Sequence, residues 1–130
     1  KAPTFAVWAM KDPESGNLDR VQIVEGWNNP NSGWPEEKVY EVAWSDKREI
    51  DKKSGKLPAV GNTVDIETAT YKYSIGDNML STVWTDPDFD PSIKAVYYVR
   101  VLEIPTPRWS TYDAARLGVD PPVGVPPTIQ

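Results

Sequence analysis

The sequence has 130 residues, the length of one domain, and a net charge of −5 from 14 basic and 19 acidic side chains. This balance disfavours nucleic-acid binding, which requires concentrated Lys and Arg. The chain contains no histidine and no cysteine. Histidine-based triads, thiol nucleophiles, disulfides and His-rich zinc sites are therefore excluded within it. No apolar run approaches the roughly 20 residues that cross a bilayer.

Alternation of apolar and polar residues predicts short, half-buried strands along most of the chain. Segment 79–84 is apolar and fits either a strand or a helical turn. The charged stretch 45–62 has no clear period and predicts a long connection. The predicted strands are residues 5–10, 20–27, 38–44, 70–75 and 95–104.

One short helix is predicted near the C-terminal end. Ser110 fits an N-cap, Asp113 fits the reciprocal position of a capping box, and Gly118 fits the left-handed residue that ends a helix. Four prolines follow within residues 119–130, which predicts an extended tail leading onward to another element.

Short strands separated by turns predict a mostly β fold, an immunoglobulin-like or related β-sandwich over residues 1–118 with a Pro-rich tail over 119–130. The strand at 95–104 is apolar on both faces, whereas a sandwich strand normally buries only one. We expect its second face to be covered by loops, by the tail or by protein outside this chain. The alternative is a central strand partly shielded by its own loops.

Asp86, Asp88 and Asp90 have the alternating carboxylates of a calcium loop. The pattern has Pro91 where such a loop has glycine and Tyr97 where it has glutamate. The three aspartates are therefore weak metal candidates, and Asp-Pro turns are the favoured interpretation.

The six tryptophans raise the possibility of sugar binding, because flat aromatic rings stack on sugars. Trp34 and Trp109 lie in predicted loops and are the candidates for exposed rings. Arg108 beside Trp109 could bind an anion or cover an aromatic ring. The favoured interpretation is that Trp109 packs the strand-to-helix corner onto the core. The tryptophans predicted to be in the core are Trp8, Trp27, Trp44 and Trp84.

Several blocks resemble one bacterial family. The segments "LDRVQIVEGW", "EKVYEVAWSD", "LPAVGNTVDIETATY", "VWTDPDFDP" and "YYVRVLEIPTPRWSTYDAARLGVDPP" are similar to the C-terminal region of Domain of Unknown Function family 3604 (DUF3604). The resemblance covers nearly the whole chain. It implies a longer exported or periplasmic protein whose earlier part resembles a PHP-type metal-dependent hydrolase. Without histidine, none of that part's metal ligands can be placed on this sequence.

The resemblance predicts a non-catalytic accessory domain, without a cofactor of its own, that packs on the remainder of its parent chain. The predicted contact residues are Tyr98, Arg100, Arg108 and Trp109. The start at Lys1, without Met, is expected of a processed chain or a piece of a longer one. An exposed strand edge would also permit an edge-paired or domain-swapped dimer. Two alternatives stay open: a carbohydrate-binding module, and a hydrolase that uses carboxylates and a metal.

Overall fold

The computed structural model describes all 130 residues and is mostly β, as predicted. None of its helical structure is long and apolar enough to cross a bilayer. The ambiguous segment 79–84 is a strand. The strands are β1 Thr4–Met10, β2 Leu18–Asn28, β3 Pro35–Trp44, β4 Met79–Thr85, β5 Ala95–Glu103, β6 Thr106–Pro107 and β7 Thr128–Ile129, and the helix is α1 Trp109–Leu117.

The strands form three small antiparallel sheets, with the orders β1-β4, β3-β2-β5 and β6-β7. The first two sheets pack face to face through aromatic rings. The Phe5 ring lies 5.0 Å from that of Tyr97, and the Tyr40 ring lies 4.8 Å from that of Trp84. An immunoglobulin-like sandwich is not confirmed, because the two layers hold only two and three strands where that fold has about seven in total.

The core follows the central strand β2, which is buried on both faces over most of its length. Leu18, Val21 and Leu80 form the buried cluster between the two sheets. Strand β5 is an edge strand, so its interpretation as a central strand is wrong. Neither loops nor the tail cover it, because Val96 and Tyr98 on one face and Val99 and Val101 on the other are exposed.

The long connection between β3 and β4 contains no strand at 70–75, so that prediction is wrong. Its local pairing is limited to one isolated bridge between Asp65 and Thr70, with Ala69 between them at φ 51. Tyr71 and Tyr73 alternate as in a strand, yet they pack on each other, with ring centroids 5.5 Å apart. The same alternation can therefore serve a compact loop.

A buried ion pair fixes this connection to the sheet. Asp19 is fully buried in β2, and Arg48 Nη2 lies 2.6 Å from its Oδ1. The Arg48 guanidinium also donates to the backbone oxygens of Asp19, Ser45 and Pro58 at 2.8 to 3.0 Å. Gln130 donates its side-chain amide to the same carboxylate.

The helix begins two residues earlier than predicted, with its N-cap at residue 108 instead of 110, and its capping box is absent. Arg108 occupies the N-cap without a side-chain cap, and Ser110 lies inside the first turn. Gly118 ends the helix at φ 67, as predicted, and Val119 N–H donates to Ala114 O at 3.1 Å. The end of the tail folds back onto the helix, where Thr111 Oγ1 donates to Pro127 O at 2.7 Å. The boundary at residue 118 stays a prediction.

Candidate functional site

The outer face of the β1–β4 sheet is uncovered and largely apolar, with Ser81 opposite Trp8 and the Thr4–Thr85 pair as its polar residues. In the register, Ala6 lies opposite Val83 and Met10 lies opposite Met79. Trp8, Met10 and Val83 are 71%, 70% and 73% exposed. The residues between them point inward and pack on the three-stranded sheet. We call this surface, formed by Ala6, Trp8, Met10, Met79 and Val83, the outer apolar face.

Trp8 was predicted to lie in the core, and that prediction is wrong. Both alternating sets of β1 are apolar, because Phe5, Val7 and Ala9 are as hydrophobic as Ala6, Trp8 and Met10. The pattern therefore predicts two buried faces. The fold supplies only one, since a single sheet lies against β1 and β4.

Tyr98 and Arg100, two predicted contact residues, lie on the outer side of β5 and are exposed. Arg100 Nε donates to Gln22 Oε1 at 2.9 Å, and Gln22 Nε2 donates to Glu41 Oε1 at 2.8 Å. These bonds form a polar row across all three strands. The row holds the Arg100 side chain against the sheet surface.

Arg108 and Trp109 lie at the start of the helix, and their side chains differ in burial. Arg108 N–H donates to Pro127 O at 2.9 Å, and its side-chain Nε is buried without a hydrogen-bond partner. Trp109 is 72% exposed, so the interpretation that it packs the corner onto the core is wrong. Trp34 is 73% exposed in the turn between β2 and β3. Trp34 and Trp109 lie at opposite ends of the sheet and cannot form one platform.

A cluster of tyrosines and carboxylates lies between the β1-β4 sheet and the β3-β2-β5 sheet, around Glu25 of β2. Tyr40 Oη donates to Asp88 Oδ2 at 2.8 Å and lies 3.2 Å from Glu25 Oε2. Tyr97 Oη donates to Asp86 Oδ2 at 2.7 Å and lies 3.2 Å from Glu25 Oε1. The two hydroxyls therefore bridge three carboxylates.

The cluster perturbs the ionisation of its members. Burial, followed by the hydrogen bond to Asp88, raises the pKa of Tyr40 well above its usual range. Burial, followed by the hydrogen bond to Asp86, raises the pKa of Tyr97 in the same way. The hydrogen bonds from Lys38 and then Tyr40 lower the pKa of Asp88. Both tyrosines therefore act as proton donors that hold the carboxylates.

A cleft of about 330 Å³ opens beside this cluster. Trp27 and Phe89 supply aromatic walls, while Glu25, Lys38 and Asp88 supply polar groups. Pockets of this size with apolar walls and a few polar groups are typical of small-ligand sites.

The structure does not bring Asp86, Asp88 and Asp90 together at one point. Asp86 accepts from Tyr97, Asp88 pairs with Lys38, and Asp90 accepts from the Ser92 hydroxyl and backbone. The chain has no group of three or more Asp or Glu side chains arranged to hold a metal ion. The Asp-Pro turn interpretation accounts for Asp86 and Asp90, whose side chains accept backbone N–H groups two residues on.

A family model described as "Protein of unknown function (DUF3604)" matches residues 1–130. The chain belongs to the DUF3604 family. The match agrees with the resemblance found in the sequence, and its description names no activity. No curated protein and no solved structure matches the chain.

Sequence reasoning missed two features of this DUF3604 chain. The outer apolar face was hidden because a strand apolar on both faces is indistinguishable from a fully buried one. The tyrosine–carboxylate cluster joins residues from four segments. Only Asp86 and Asp88 among its members carried a local signal. The cluster therefore depends on the packing of the two sheets.

Proposed function

We propose that this chain is a non-catalytic accessory domain that packs against the remainder of a longer, exported bacterial DUF3604 protein. The outer apolar face is the observation that carries the proposal. Exposed apolar residues that form one continuous sheet face mark an interaction surface, whereas single exposed residues do not. The parent's hydrolase activity, through a divalent metal held in its earlier part, belongs to the same proposal.

The accessible surface area supports this proposal. The chain exposes 8935 Å² for a mass of 14.6 kDa. A monomer of this mass typically exposes about 6,900 Å², so the excess is about 2,000 Å². Interfaces between domains of one chain bury about 600–1,500 Å². The excess is therefore large enough for the outer apolar face and one further contact to be covered in the complete protein.

The absence of charged residues from the outer apolar face also favours a permanent contact. Its strands β1 and β4 contain no charged residue between Thr4 and Met10 or between Met79 and Thr85. Obligate interfaces are more hydrophobic than transient ones and carry few charges at their centre. A face of this composition matches another part of the same protein better than a partner that dissociates.

The test uses the longer protein with Trp8→Lys and Val83→Lys, which place charges on the face. We expect the isolated domain to stay folded and the longer protein to lose stability or protease resistance. Arg108→Ala with Trp109→Ala tests the contact predicted from the sequence. Lys94→Ala, a change to an exposed residue outside both surfaces, is the control. If both double variants of the longer protein match the wild type in folding and activity, the proposal is wrong.

Carbohydrate binding is the second candidate function, and the exposure of Trp34 and Trp109 favours it. Because the two rings lie at opposite ends of the sheet, each would act alone or with the cleft beside Trp27. Affinity electrophoresis in gels containing xylan, laminarin or pullulan provides the test. Retardation that is lost in Trp34→Ala or Trp109→Ala, but kept in Trp8→Ala, would support this function. Equal mobility in every gel would remove it.

A hydrolase that uses carboxylates of this chain has less support, because Asp86, Asp88 and Asp90 bind different partners. Excess EDTA tests it directly. We expect the melting temperature of the isolated domain to stay unchanged by EDTA and by added Ca²⁺. A rise with Ca²⁺ that disappears in Asp88→Asn would reinstate a metal site.

A further inference from the structure

Strand β5 presents an unprotected edge. It contains nine residues, pairs only with β2, and forms one end of the three-stranded sheet. Natural edge strands are usually protected by prolines, bulges, short length or central charges. Within β5, only Arg100 and Glu103 are charged and proline is absent. The edge is therefore available for pairing with another strand.

Both faces beside this edge are also uncovered. Val96 and Tyr98 are exposed on the outer side, and Val99 and Val101 are exposed on the side that faces β1. A groove of about 760 Å³ beside Arg100–Ile104 leaves the end of the strand accessible. A strand placed along β5 would satisfy its free backbone groups and bury apolar side chains on both faces at once.

We propose that the strand that pairs here is β5 of a second copy of the chain, antiparallel across a twofold axis at Val99. A twofold axis perpendicular to the sheet keeps each residue opposite a residue of the same face. The register that overlaps the full strand places Val96 opposite Leu102 and Tyr98 opposite Arg100 of the second copy. Val99 then lies opposite itself, and the two sheets join into one of six strands.

The charges of β5 are compatible with this register and with a second copy as the occupant. Arg100 lies opposite the uncharged Tyr98 of the second copy, so two guanidiniums do not meet. Glu103 lies opposite Ala95, so no like charges meet. A shift of the second copy that centres the pairing on Arg100 would place two guanidiniums face to face, and it would also shorten the overlap. The strand carries one positive and one negative charge, so its pairing is not opposed locally by the net charge of −5.

In this dimer, Tyr98 and Arg100 lie in the contact between the two copies. The proposed function depends on a different surface, the outer apolar face. The two can therefore fail separately: loss of the dimer leaves docking through β1 and β4 untouched.

Because the chain contains no cysteine, single cysteine variants test the pairing cleanly. Opposite residues in antiparallel strands lie about 4.5–5.5 Å apart at Cα, within the range of a disulfide. We expect Val99→Cys to form a disulfide-linked dimer about tenfold faster than Val123→Cys, a fully exposed tail control, because pairing raises the local thiol concentration. A mixture of Val96→Cys and Leu102→Cys should form the mixed dimer faster than either variant alone.

Light scattering of the unmodified chain completes the test, and circular dichroism checks that each variant is folded. A dimeric mass together with fast Val99→Cys cross-linking supports the proposal. A monomeric mass at about 100 μM, a concentration well above the Kd of a micromolar complex, overturns it. Cross-linking of Val99→Cys no faster than Val123→Cys also overturns it, and a preference for another β5 position overturns the register.

Discussion

Replacing Arg48 with methionine should destabilise the domain strongly, because this guanidinium neutralises a carboxylate that is fully buried. Asp19 has no exposed side-chain surface and the Arg48 side chain is 10% exposed, so water screens the pair little. Removing one member of a buried ion pair typically costs about 3–5 kcal/mol. Arg20 Nε also lies 3.0 Å from Asp19 and Gln130 donates to it, so partial compensation remains. We therefore expect about 3 kcal/mol.

Urea unfolding at pH 7 measures this loss in Arg48→Met, in Asp19→Asn and in the double variant. The double variant should lose less than the two single losses combined, because the single changes each leave a buried group without its partner. The control is Arg116→Met, whose guanidinium lies 3.9 Å from the exposed carboxylate of Asp113 and should change stability by less than about 0.5 kcal/mol. A loss below about 1 kcal/mol in Arg48→Met would refute the anchoring role.

Two further predictions concern the tyrosine cluster and one glycine. Stability should fall as the pH rises above about 10, the usual tyrosine pKa, because the unfolded chain then releases protons that folded Tyr40 and Tyr97 retain. Urea unfolding against pH checks this, and the slope should shrink in Tyr40→Phe. Gly76→Ala should cost about 2 kcal/mol or more by thermal unfolding, because a Cβ at φ +78 would lie 2.9 Å from Leu18 O. Gly55→Ala, at φ +68 in open space, should cost less, and equal losses would contradict the steric argument.

Strands β2 and β3 were predictable, although β2 is buried on both faces over most of its length. In β2 and β3 the alternation and the bounding turns locate the elements to within about three residues, the usual precision of such boundaries. The strand predicted from alternation at Tyr71 and Tyr73 is absent, because in a compact loop two neighbouring rings can pack on each other. The helix start failed because Ser110 and Asp113 match a capping box by sequence, while Arg108 and the folded-back tail fix the actual first turn.

The candidate surfaces depend on tertiary information that local patterns lack. Trp8 and Tyr98 stand in strands that are apolar on both sides, and only the number of layers decides which side stays exposed. Val99 is exposed because β5 ends the sheet, and strand order cannot be derived from alternation. The sequence predicts that an exposed strand edge would permit pairing between copies. That β5 is such an edge follows only from the strand order.

Methionine oxidation tests the docking proposal most directly. The chain has two methionines, and Met10 and Met79 lie opposite each other on the outer apolar face. In the isolated domain both should oxidise readily with dilute hydrogen peroxide, at rates similar to a methionine introduced by Val123→Met in the exposed tail. In the longer protein we predict that Met10 and Met79 are protected while the introduced methionine is not. Equal oxidation of Met10 and Met79 in both proteins would contradict the proposal that this face is covered.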